Sequence, residues 1–392
     1  MLGMRVLFVH NDYAAPSGEE HAVEAMSGLL RSHGHEILWI RKSSAGLGGS
    51  RFQQVRAFLS GIHSRSSSAE MAALLDDRPV DVVYVQNLYP WISPSIFAPC
   101  RARKVPVVMR CPNYRVFCPN GLHLCRGQIC ERCLGGREWW CVLRNCEGSL
   151  SKSLGYALRN AAARIRRTIL DGVTTFIVLS EFQKARFAAC GIPDDRIGVL
   201  PNQATAGKPD EASSESTFVS YVGRLSPEKG LGLFVDVARS MPSVPFAVAG
   251  DTSGMPELVR RSPPNVKYMG FLGGRELEDF YCRTRVLVVP SLCFEGFPNV
   301  IAAAMLRRIP VVCSRLGGLP EIVEDGRTGL LSQPGNADEL KSKVGWLLER
   351  PTEAAKMGRA GHEKALRCYS PERVYAKLVS ILERAVVQRK ER

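Results

Sequence analysis

The sequence predicts an α/β protein made of two doubly wound domains. Its 392 residues are enough for two full hydrophobic cores. A strand, a helix and a second strand open the chain at Met4–His10, Glu19–His33 and His35–Arg41, as expected at the start of a doubly wound domain. Strands and helices alternate regularly again from Phe218 onward. Between the two halves lies Ala204–Ser216, a small, polar and charged stretch that we expect to be a linker.

Composition limits the class of protein. Hydrophobic residues make up 45% of the chain and charged residues 23%, which are values of a globular protein. No apolar run approaches the roughly 18 residues of a membrane-spanning helix, so none is expected. Met1–His10 has no long apolar region or cleavage site, so we expect no signal peptide and a cytoplasmic protein. The 13 cysteines are then expected to be thiols or metal ligands rather than a disulfide framework.

A formal net charge of +14 indicates an anionic partner, unless it serves solubility alone. No recognised nucleic-acid-binding motif occurs, so we do not expect nucleic acid to be that partner. An anionic membrane face is favoured, because each basic residue near it can add about 1 kcal/mol of attraction. Solubility is the alternative that composition leaves open.

Short apolar runs and helical spacing predict the other elements. In the first half we expect strands at Val80–Gln86, Val105–Met109, Gly172–Ser180 and Arg196–Leu200, and helices around Phe52–Leu59, over Ser149–Ile169 and from the N-cap Ser180 to Cys190. The second domain should start near Thr217, with strands at Phe218–Val222, Pro245–Gly250, Val266–Met269, Val286–Val289 and Val311–Ser314. Its helices are expected at Gly230–Met241, Gly274–Arg283 and Asn299–Arg308, followed after Ser314 only by helices, the last over Pro371–Val387.

A cysteine-rich segment interrupts the first half. Eight of the 13 cysteines fall between residues 100 and 146. Cys130 and Cys133 form a C-x2-C pair, with Cys118 before it and Cys146 after it. Four thiolates at such spacing suit a structural zinc ion, which could hold together a segment too poor in apolar residues to fold alone. Free thiols and an iron–sulfur cluster are the alternatives.

The stretch Ser149–Ile169 predicts a basic amphipathic helix. Its apolar residues recur at helical spacing, at Leu150, Leu154, Leu158, Ala161, Ile165 and Ile169. Lys152, Arg159 and Arg166 share a second face. Such a helix can lie on a membrane surface. The alternative is an ordinary surface helix whose apolar stripe packs on its own domain.

Two strand–loop–helix stretches of the second half carry the candidate functional residues. After the strand Val286–Val289, a loop holds the carboxylate Glu295, and a helix pattern starts near Asn299. After the strand Phe218–Val222, a glycine turn leads to the cations Arg224 and Lys229. Ligands of parallel sheets bind at the carboxyl ends of strands, and helix starts favour anions. Two cations for a diphosphate and one carboxylate for sugar hydroxyls therefore predict a nucleotide-sugar site.

Three motifs in this half resemble those of the family 4 retaining glycosyltransferases, which have the GT-B fold. They are GRLSPEKG at Gly223–Gly230, EGFPNVI at Glu295–Ile301, and GGLPEIV at Gly317–Val323 with DGRTGLL at Asp325–Leu331. The resemblance is closest over Val219–Gln333 and weaker towards Met1. In the first half, Asn113–Arg115, Cys118–Gly121 and Cys130–Cys133 are similar to an insertion found in one subgroup of these enzymes.

The resemblance implies a GT-B architecture, with two Rossmann-like domains facing across a cleft. Residues 1–203 would form the acceptor-side domain, with the cysteine-rich insertion at about 111–148. Residues 217–370 would bind the nucleotide sugar, and the helix of residues 371–392 would cross back to the first domain. The reaction implied is transfer of a sugar, with retention of configuration, from a UDP- or GDP-sugar to a glycan or lipid-linked acceptor. No catalytic metal is implied, since the two cations would replace it.

The resemblance also implies roles for individual residues. Arg224 and Lys229 would hold the donor diphosphate and stabilise the leaving charge, and Glu295 would bind the donor sugar. Gly250 and Phe271 would line the base pocket, and the amides near Phe297–Val300 would approach sugar and phosphate. The donor-binding residues implied are Gly18, Gly223, Gly250, Phe271, Gly296, Phe297, Pro298, Asn299 and Val300.

The sequence departs from the family pattern at two positions. Ala303 stands where relatives have a second Glu that binds the ribose hydroxyls, a loss expected to weaken donor binding about 10- to 100-fold or more. Pro112 stands where relatives often carry a His near the donor sugar, and Gly18 stands where two glycines are common. Two functions are therefore predicted: an active transferase, or a nucleotide-sugar-binding homologue that regulates or scaffolds a partner enzyme.

Overall fold

The computed structural model describes residues 3–13, 18–45, 51–204 and 217–390, without the side chains of 51–54 and 390. The predicted linker, apart from Ala204, lies outside the described residues. Contacts between Cα atoms divide the chain into two compact units. Unit 1 comprises Met1–Cys125, Cys130–Pro201 and Val374–Arg392, and unit 2 comprises Arg126–Ile129 and Asn202–Arg373.

Unit 1 contains a parallel sheet and its surrounding helices. Its strands are β1 (Arg5–Asp12), β2 (Glu36–Ser43), β3 (Val82–Asn87), β4 (Val107–Arg110), β7 (Thr175–Val178) and β8 (Ile197–Val199). The short strands β5 (Leu124–Cys125) and β6 (Gln128–Ile129) pair in a separate hairpin, of which Arg126–Ile129 is assigned to unit 2. Its helices are α1 (Gly18–Ser32), α2 (Arg51–Ile62), α3 (Arg65–Asp77), α4 (Phe97–Ala102), α5 (Trp139–Leu143), α6 (Leu150–Ile165), α7 (Thr168–Gly172) and α8 (Glu181–Ala189).

The six-stranded sheet of unit 1 has the order β2-β1-β3-β4-β7-β8, with every pair parallel. The apolar run from Val6 to Val9 is fully buried, as expected of a parallel strand covered on both faces. On one face the sheet packs against α1, and the same core includes Val374, Leu378 and Leu382 from the end of the chain.

Unit 2 contains a second parallel sheet of six strands. They are β9 (Phe218–Val222), β10 (Phe246–Ala249), β11 (Val266–Tyr268), β12 (Thr284–Val289), β13 (Val311–Ser314) and β14 (Gly329–Ser332), in the order β11-β10-β9-β12-β13-β14. The helices that follow are α9 (Leu231–Arg239), α10 (Pro256–Arg260), α11 (Gly274–Cys282), α12 (Asn299–Leu306), α13 (Leu319–Ile322), α14 (Ala337–Glu349), α15 (Pro351–Tyr369) and α16 (Pro371–Lys390). The last of them starts in unit 2 and continues into unit 1.

Two sequence predictions of elements were wrong, and α3 is one of several elements that were not predicted. The chain was expected to contain only helices after Ser314, but Gly329–Ser332 forms β14 beside β13. Its four residues, flanked by turn residues, are too short a run to give a periodic signal. The helix α3 was not predicted; it starts at the N-cap Ser64, whose side chain accepts a hydrogen bond from the Ser67 amide, within a serine run typical of a loop.

The third difference concerns the predicted helix Ser149–Ile169. It is broken after α6, because Arg167 has a left-handed backbone with φ 51°. Ile169 is buried, as an apolar stripe packed on its own domain would require, but Leu150, Leu154, Leu158 and Ile165 are exposed. The alternative of an apolar stripe packed inward is therefore wrong for α6. Among the described residues, no helix combines the length and the apolar character needed to cross a membrane.

Candidate functional site

The predicted functional residues of unit 2 lie where the strand order of the sheet reverses. The strands β9 and β12 are neighbours although they are not consecutive, and the chain runs outward from them in opposite directions. In open α/β sheets this switch point leaves a crevice at the carboxyl ends of the two strands, where ligands bind. The loop after β9 carries Arg224 and Lys229, and the loop after β12 carries Glu295.

Backbone contacts hold the two loops together. The amide of Leu292 donates to the carbonyl of Glu228 at 2.8 Å. Gly230 has φ 76°, and a Cβ there would lie 1.9 Å from the carbonyl oxygen of Pro290. No other residue fits such a close approach, so the final glycine of GRLSPEKG is required by packing. The hydroxyl of Tyr221 donates to the carbonyl of Arg224 at 2.9 Å and fixes the first part of the same loop.

Lys229 and Glu295 form an ion pair at the centre of the site. The Lys229 Nζ lies 2.6 Å from the Glu295 Oε1, which also accepts a hydrogen bond from the Ser291 hydroxyl at 2.8 Å. The side chains are 28% and 11% exposed, so the pair is largely withdrawn from water. Burial lowers the pKa of Lys229, but the interactions with Glu295 and Cys293 together outweigh it and the pKa is raised overall. The ammonium therefore stays charged.

The GGLPE motif positions Glu295 through the backbone. The amide of Gly318 donates to the carbonyl of Glu295 at 2.7 Å. Gly317 has φ 62°, and a Cβ there would lie 2.8 Å from both the amide nitrogen and the carbonyl oxygen of Glu295. Gly317 thus allows the loop after β13 to lie directly against the loop that carries the carboxylate.

Arg224 is the exposed cation of the site. Its side chain is 66% exposed, and its Nη2 lies 2.7 Å from the Oε1 of the mostly buried Glu228. The positive charge of Arg224 opposes protonation of Lys229, which indicates that the two cations share one electrostatic environment. Glu228 was not predicted as part of the site, although its position four residues after Arg224 was a possible signal.

The helix α12 starts beside Glu295. Pro298 is its N-cap and makes no side-chain capping hydrogen bond. The first amides of any helix, here those of Asn299 and Val300, have no intrahelical partner and form the positive end of the helix dipole. Gly296 and Phe297 are buried, and the Phe297 ring packs edge-to-face on Tyr369 with centroids 4.8 Å apart. The Phe297 side chain is therefore not available to a ligand, and its carbonyl accepts a hydrogen bond from the Asn202 side chain at 3.2 Å.

The remaining predicted donor-binding residues lie outside the loop that carries Glu295. The amide of Gly223 donates to Ala249 at 3.0 Å, and that of Gly250 donates to Gly270 at 2.8 Å, so both glycines lie at the carboxyl ends of the central strands of unit 2. Phe271 follows on an exposed turn and is 70% exposed. Gly18 lies in unit 1, exposed, as the first residue of α1. Ser17 beside it is outside the described residues.

The two departures from the family pattern are visible in the structure. Ala303 is a half-buried residue of α12, and its carbonyl accepts a hydrogen bond from Arg307 at 2.7 Å. The guanidinium of Arg307 also pairs with Glu278 on α11 at 2.6 Å. In unit 1, Pro112 lines a small pocket at the carboxyl ends of β3 and β4, together with Asn87 and Arg115.

A polar network beside that pocket was missed by sequence reasoning. Arg115 donates to the Tyr13 hydroxyl at 2.7 Å, and that hydroxyl lies 3.1 Å from the Glu19 Oε2. The side-chain amide of Asn113 donates to the other oxygen of Glu19 at 3.1 Å. Burial raises the pKa of Glu19, and Arg115 opposes the shift. The network connects the start of α1 to the loop after β4.

A second cluster of polar side chains lies at the end of β1. The Nε2 of His10 is 3.4 Å from the Asp12 Oδ1 and 3.9 Å from the Glu20 Oε1. Among the described residues, these three are the only group of three or more possible metal ligands whose ligand atoms all lie within 4.8 Å of one another. Burial lowers the pKa of His10.

The four cysteines predicted to bind zinc are neighbours, but in the part of the chain that the structure describes no three of their sulfurs lie within 4.8 Å of one another. Burial, and then the sulfurs of Cys118, Cys146 and Cys130, raise the pKa of the Cys133 thiol to about 12. Burial raises the pKa of the Cys118 thiol, while the nearby backbone amides of His123, Gly121 and Asn120 lower it, and the thiol donates to the Asn120 Oδ1 at 3.0 Å. Among the described residues, no two cysteines form a disulfide.

Two parallel sheets, each with a switch point, together with this loop arrangement define the class: a GT-B protein. Residues 17–203 match the family model "Glycosyl transferase 4-like domain", and residues 216–350 match "Glycosyl transferases group 1". Together the two matches cover most of the chain. The chain therefore belongs to the GT-B glycosyltransferases of the family 4 type.

Individual relatives match only part of the chain. The chain is 36% identical to the MMP alpha-(1->4)-mannosyltransferase of Mycolicibacterium hassiacum over 174 residues, 44% of this chain and 40% of that protein. It is 25% identical over 240 residues to the GDP-mannose-dependent alpha-(1-6)-phosphatidylinositol monomannoside mannosyltransferase of Mycolicibacterium smegmatis, 54% of this chain and 63% of that protein. The match thus spans less than two thirds of either relative.

Solved structures share the fold. The crystal structure of Anabaena Alr3699/HepE in complex with UDP and glucose superposes with a TM-score of 0.65, at 18% identity, over 97% of this chain and 99% of that one. The glycosyltransferase of Rickettsia africae superposes with a TM-score of 0.70, at 14% identity, over 98% and 99%.

Proposed function

We propose that the protein transfers a sugar from a nucleotide-sugar donor to a glycan or lipid-linked acceptor, with retention of the anomeric configuration, in the synthesis of a cell-surface polysaccharide or glycolipid. The observation that carries the proposal is the Lys229–Glu295 pair at the switch point of unit 2, with Arg224 beside it. Two cations, one carboxylate and a helix start are gathered there by three separate motifs.

The chemistry of each group fits a part of the donor. Lys229 and Arg224 would bind the diphosphate and stabilise the negative charge that develops as the nucleotide leaves. The amides at the start of α12 would bind phosphate or sugar oxygens, as helix N-termini bind anions. Glu295 would accept hydrogen bonds from sugar hydroxyls. In this proposal the two cations replace a catalytic metal.

Charge balance supports the same assignment. In the structure, Glu295 neutralises Lys229, and Glu228 neutralises Arg224. A diphosphate would bring negative charge to Lys229 and Arg224. Glu295 could then turn towards sugar hydroxyls, and Glu228 towards solvent. The ion pairs would therefore keep the two cationic side chains in place before the donor binds.

The donor is proposed to be a UDP- or GDP-sugar. The names of similar proteins support both bases: one solved neighbour is a complex with UDP and glucose, and one relative is described as GDP-mannose-dependent. The test is a thermal-shift series with UDP-, GDP- and ADP-sugars, followed by calorimetry and by an assay for nucleotide release. Absence of binding to every nucleotide sugar would overturn the proposal.

A second candidate is a nucleotide-sugar-binding homologue that regulates or scaffolds a partner enzyme. Ala303 and Pro112 favour it, because each lacks a polar group that the family resemblance places near the donor. Binding of a nucleotide sugar without release of free nucleotide, across a panel of glycan and lipid-linked acceptors, would favour this candidate over the transferase.

We propose further that Cys118, Cys130, Cys133 and Cys146 bind a structural zinc ion. Supporting this, the Cys133 thiol interacts with the three other sulfurs, and nearby backbone amides lower the pKa of the Cys118 thiol, an environment that favours the thiolate form that binds zinc. Zinc would connect the hairpin, the C-x2-C turn and the segment after α5, which share little apolar surface.

We also propose that the protein works in the cytoplasm, peripherally on the inner face of the cell membrane. The net charge of +14 supports an anionic surface as its partner. A lipid-linked acceptor would be presented at that surface.

A further inference from the structure

The apolar face of α6 points away from unit 1. Four of its large side chains are between 47% and 70% exposed: Leu150, Leu154, Leu158 and Ile165. The residues that α6 buries instead are Ser153, Ala157, Arg159 and Asn160. Exposing leucines while burying serine and asparagine is the reverse of what a helix on a soluble domain normally does.

Specific contacts hold α6 in this orientation. The side-chain amide of Asn160 donates to the carbonyl of Arg115 at 2.8 Å, and the Ser153 hydroxyl donates to Asn145 at 3.2 Å. The guanidinium of Arg159 lies 4.0 Å from the ring centroid of Tyr89. Rotating the helix to bury its leucines would break all of these contacts and strand buried polar groups.

Neighbouring helices extend the apolar face. The helix α6 contacts both α2 and α5. On α2, Val55 and Leu59 are exposed, and on α5, Trp139 and Leu143 are exposed. We call these four side chains and the four of α6 the three-helix surface. Single exposed apolar residues are common, but eight on three adjoining helices mark an interaction site.

The charge around the three-helix surface is predominantly positive. The sequences of α2, α5 and α6 contain no Asp or Glu. They contribute the exposed cations Arg56, Lys152 and Arg164, and Arg137 and Arg166 lie at the adjoining helix ends. The nearest acids in the chain are Glu138 and Glu147. Glu138 is buried and paired with Arg164 at 2.6 Å, and Glu147 is half-buried among Arg115, Arg159 and Lys152.

We propose that the three-helix surface docks on an anionic lipid bilayer. Leucines and a tryptophan on one face, with cations around them, are the composition of interfacial membrane helices. A second copy of the chain is a poorer occupant, because a two-fold interface would bring two surfaces of the same positive sign together. The inference rests on the proposed function in one respect: docking would give the transferase access to a lipid-linked acceptor.

The test is co-sedimentation of the full chain with vesicles of phosphatidylcholine, alone or mixed with phosphatidylglycerol. The double variant Leu154→Ser/Leu158→Ser is expected to bind mixed vesicles about tenfold more weakly than the wild type, since two interfacial leucines are lost. Its matched control, Leu366→Ser/Val387→Ser, removes two equally exposed apolar side chains from other helices and is expected to bind normally.

Two further double variants test the exposed cations around the three-helix surface. Arg56→Gln/Lys152→Gln is expected to lose about fivefold for each charge, whereas Arg261→Gln/Lys267→Gln, with the same net charge, retains binding. All replaced side chains are exposed, so folding should be unaffected, and thermal unfolding of each variant checks this.

Three results would overturn the inference: equal binding to neutral and anionic vesicles, unchanged binding of the two surface variants, or a wild-type dimer that dissociates in Leu154→Ser/Leu158→Ser. Nucleotide-sugar binding is measured on the same samples. Vesicle binding without nucleotide-sugar binding would overturn the proposed transferase and leave the docking surface standing. Nucleotide-sugar binding without vesicle binding would overturn the docking surface and leave the proposed transferase standing.

Discussion

At the scale of single residues, Lys229 couples donor binding to the stability of its loop. Replacing it with Met removes one charge-assisted contact to the diphosphate, so we expect nucleotide-sugar affinity to fall about 10- to 100-fold in calorimetry. The same change leaves the nearly buried Glu295 without its cation. Breaking such a pair costs about 3–5 kcal/mol, which should appear as a lower thermal midpoint.

Two further variants separate these effects. Lys229→Met/Glu295→Gln removes the stranded charge, so it is expected to recover most of the stability while donor binding stays weak. Lys267→Met, on the exposed side of β11, removes a lysine from the same unit and should change neither property. Full donor affinity in Lys229→Met would contradict the assignment of this lysine to the diphosphate.

A substitution at Ala303 tests whether donor binding can be strengthened. If the donor ribose lies over α12, the change Ala303→Glu supplies the carboxylate that the family pattern has there. We expect it to strengthen binding of UDP or GDP about 10- to 100-fold, whereas Ala303→Gln should gain less because its hydrogen bonds are not charge-assisted.

The control for this gain is the ligand. A 2′,3′-dideoxy nucleotide offers no ribose hydroxyl, so Ala303→Glu should leave its affinity unchanged or lower it. Equal strengthening of both nucleotides would place the new carboxylate elsewhere than on the ribose. No strengthening at all would mean that the neighbouring Arg307 takes up the charge in place of the ligand.

At the scale of elements, periodicity predicted which residues share a face but not where that face points. The strand β9 was predicted with its observed bounds, because a run of β-formers ends at Gly223. The helical spacing of α6 was also right. Its orientation could not be predicted, since it depends on long-range partners such as Arg115 and Tyr89 that no local pattern reveals.

The same limit applies to the candidate site. Parallel topology predicted that the loops after β9 and β12 share one edge of the sheet. The 2.6 Å contact between Lys229 and Glu295, and the hydrogen bond from Ser291, join residues whose pairing depends on loop conformation. Glycines such as Gly317 decide that conformation by allowing close backbone approach, and a sequence motif contains them without indicating what they contact.

The cysteine-rich insertion yields a prediction at this scale. If four of its thiols bind zinc, purified protein should contain about one zinc ion per chain in elemental mass spectrometry. Cys133→Ser should abolish metal binding. It should also make the insertion sensitive to protease, because the free energy of metal binding is what keeps the insertion folded. Cys282→Ser, a half-buried cysteine of unit 2, should keep the metal. Metal-free wild-type protein would contradict the zinc proposal.

At the scale of the whole molecule, the chain is not two consecutive units. It leaves unit 1 at Pro201, forms most of unit 2, and returns to unit 1 at Val374 within α16. The returning residues complete a core rather than cover a surface: Val374, Leu378, Leu382 and Ala385 are fully buried against β1, β3 and α1. The ring of Tyr375 adds a hydroxyl 2.9 Å from the His35 Nε2.

Unit 1 should therefore depend on residues that follow unit 2 in the chain. Leu378→Ala is expected to lower the free energy of unfolding of unit 1 by about 2–5 kcal/mol, as for other fully buried leucines. Val387→Ala, on the same helix but exposed, should change it by less than about 0.5 kcal/mol. Hydrogen exchange of β1 and β3 reports this directly, because amides of a destabilised unit exchange faster. Unchanged protection of β1 in Leu378→Ala would mean that α16 lies on unit 1 without contributing to its core.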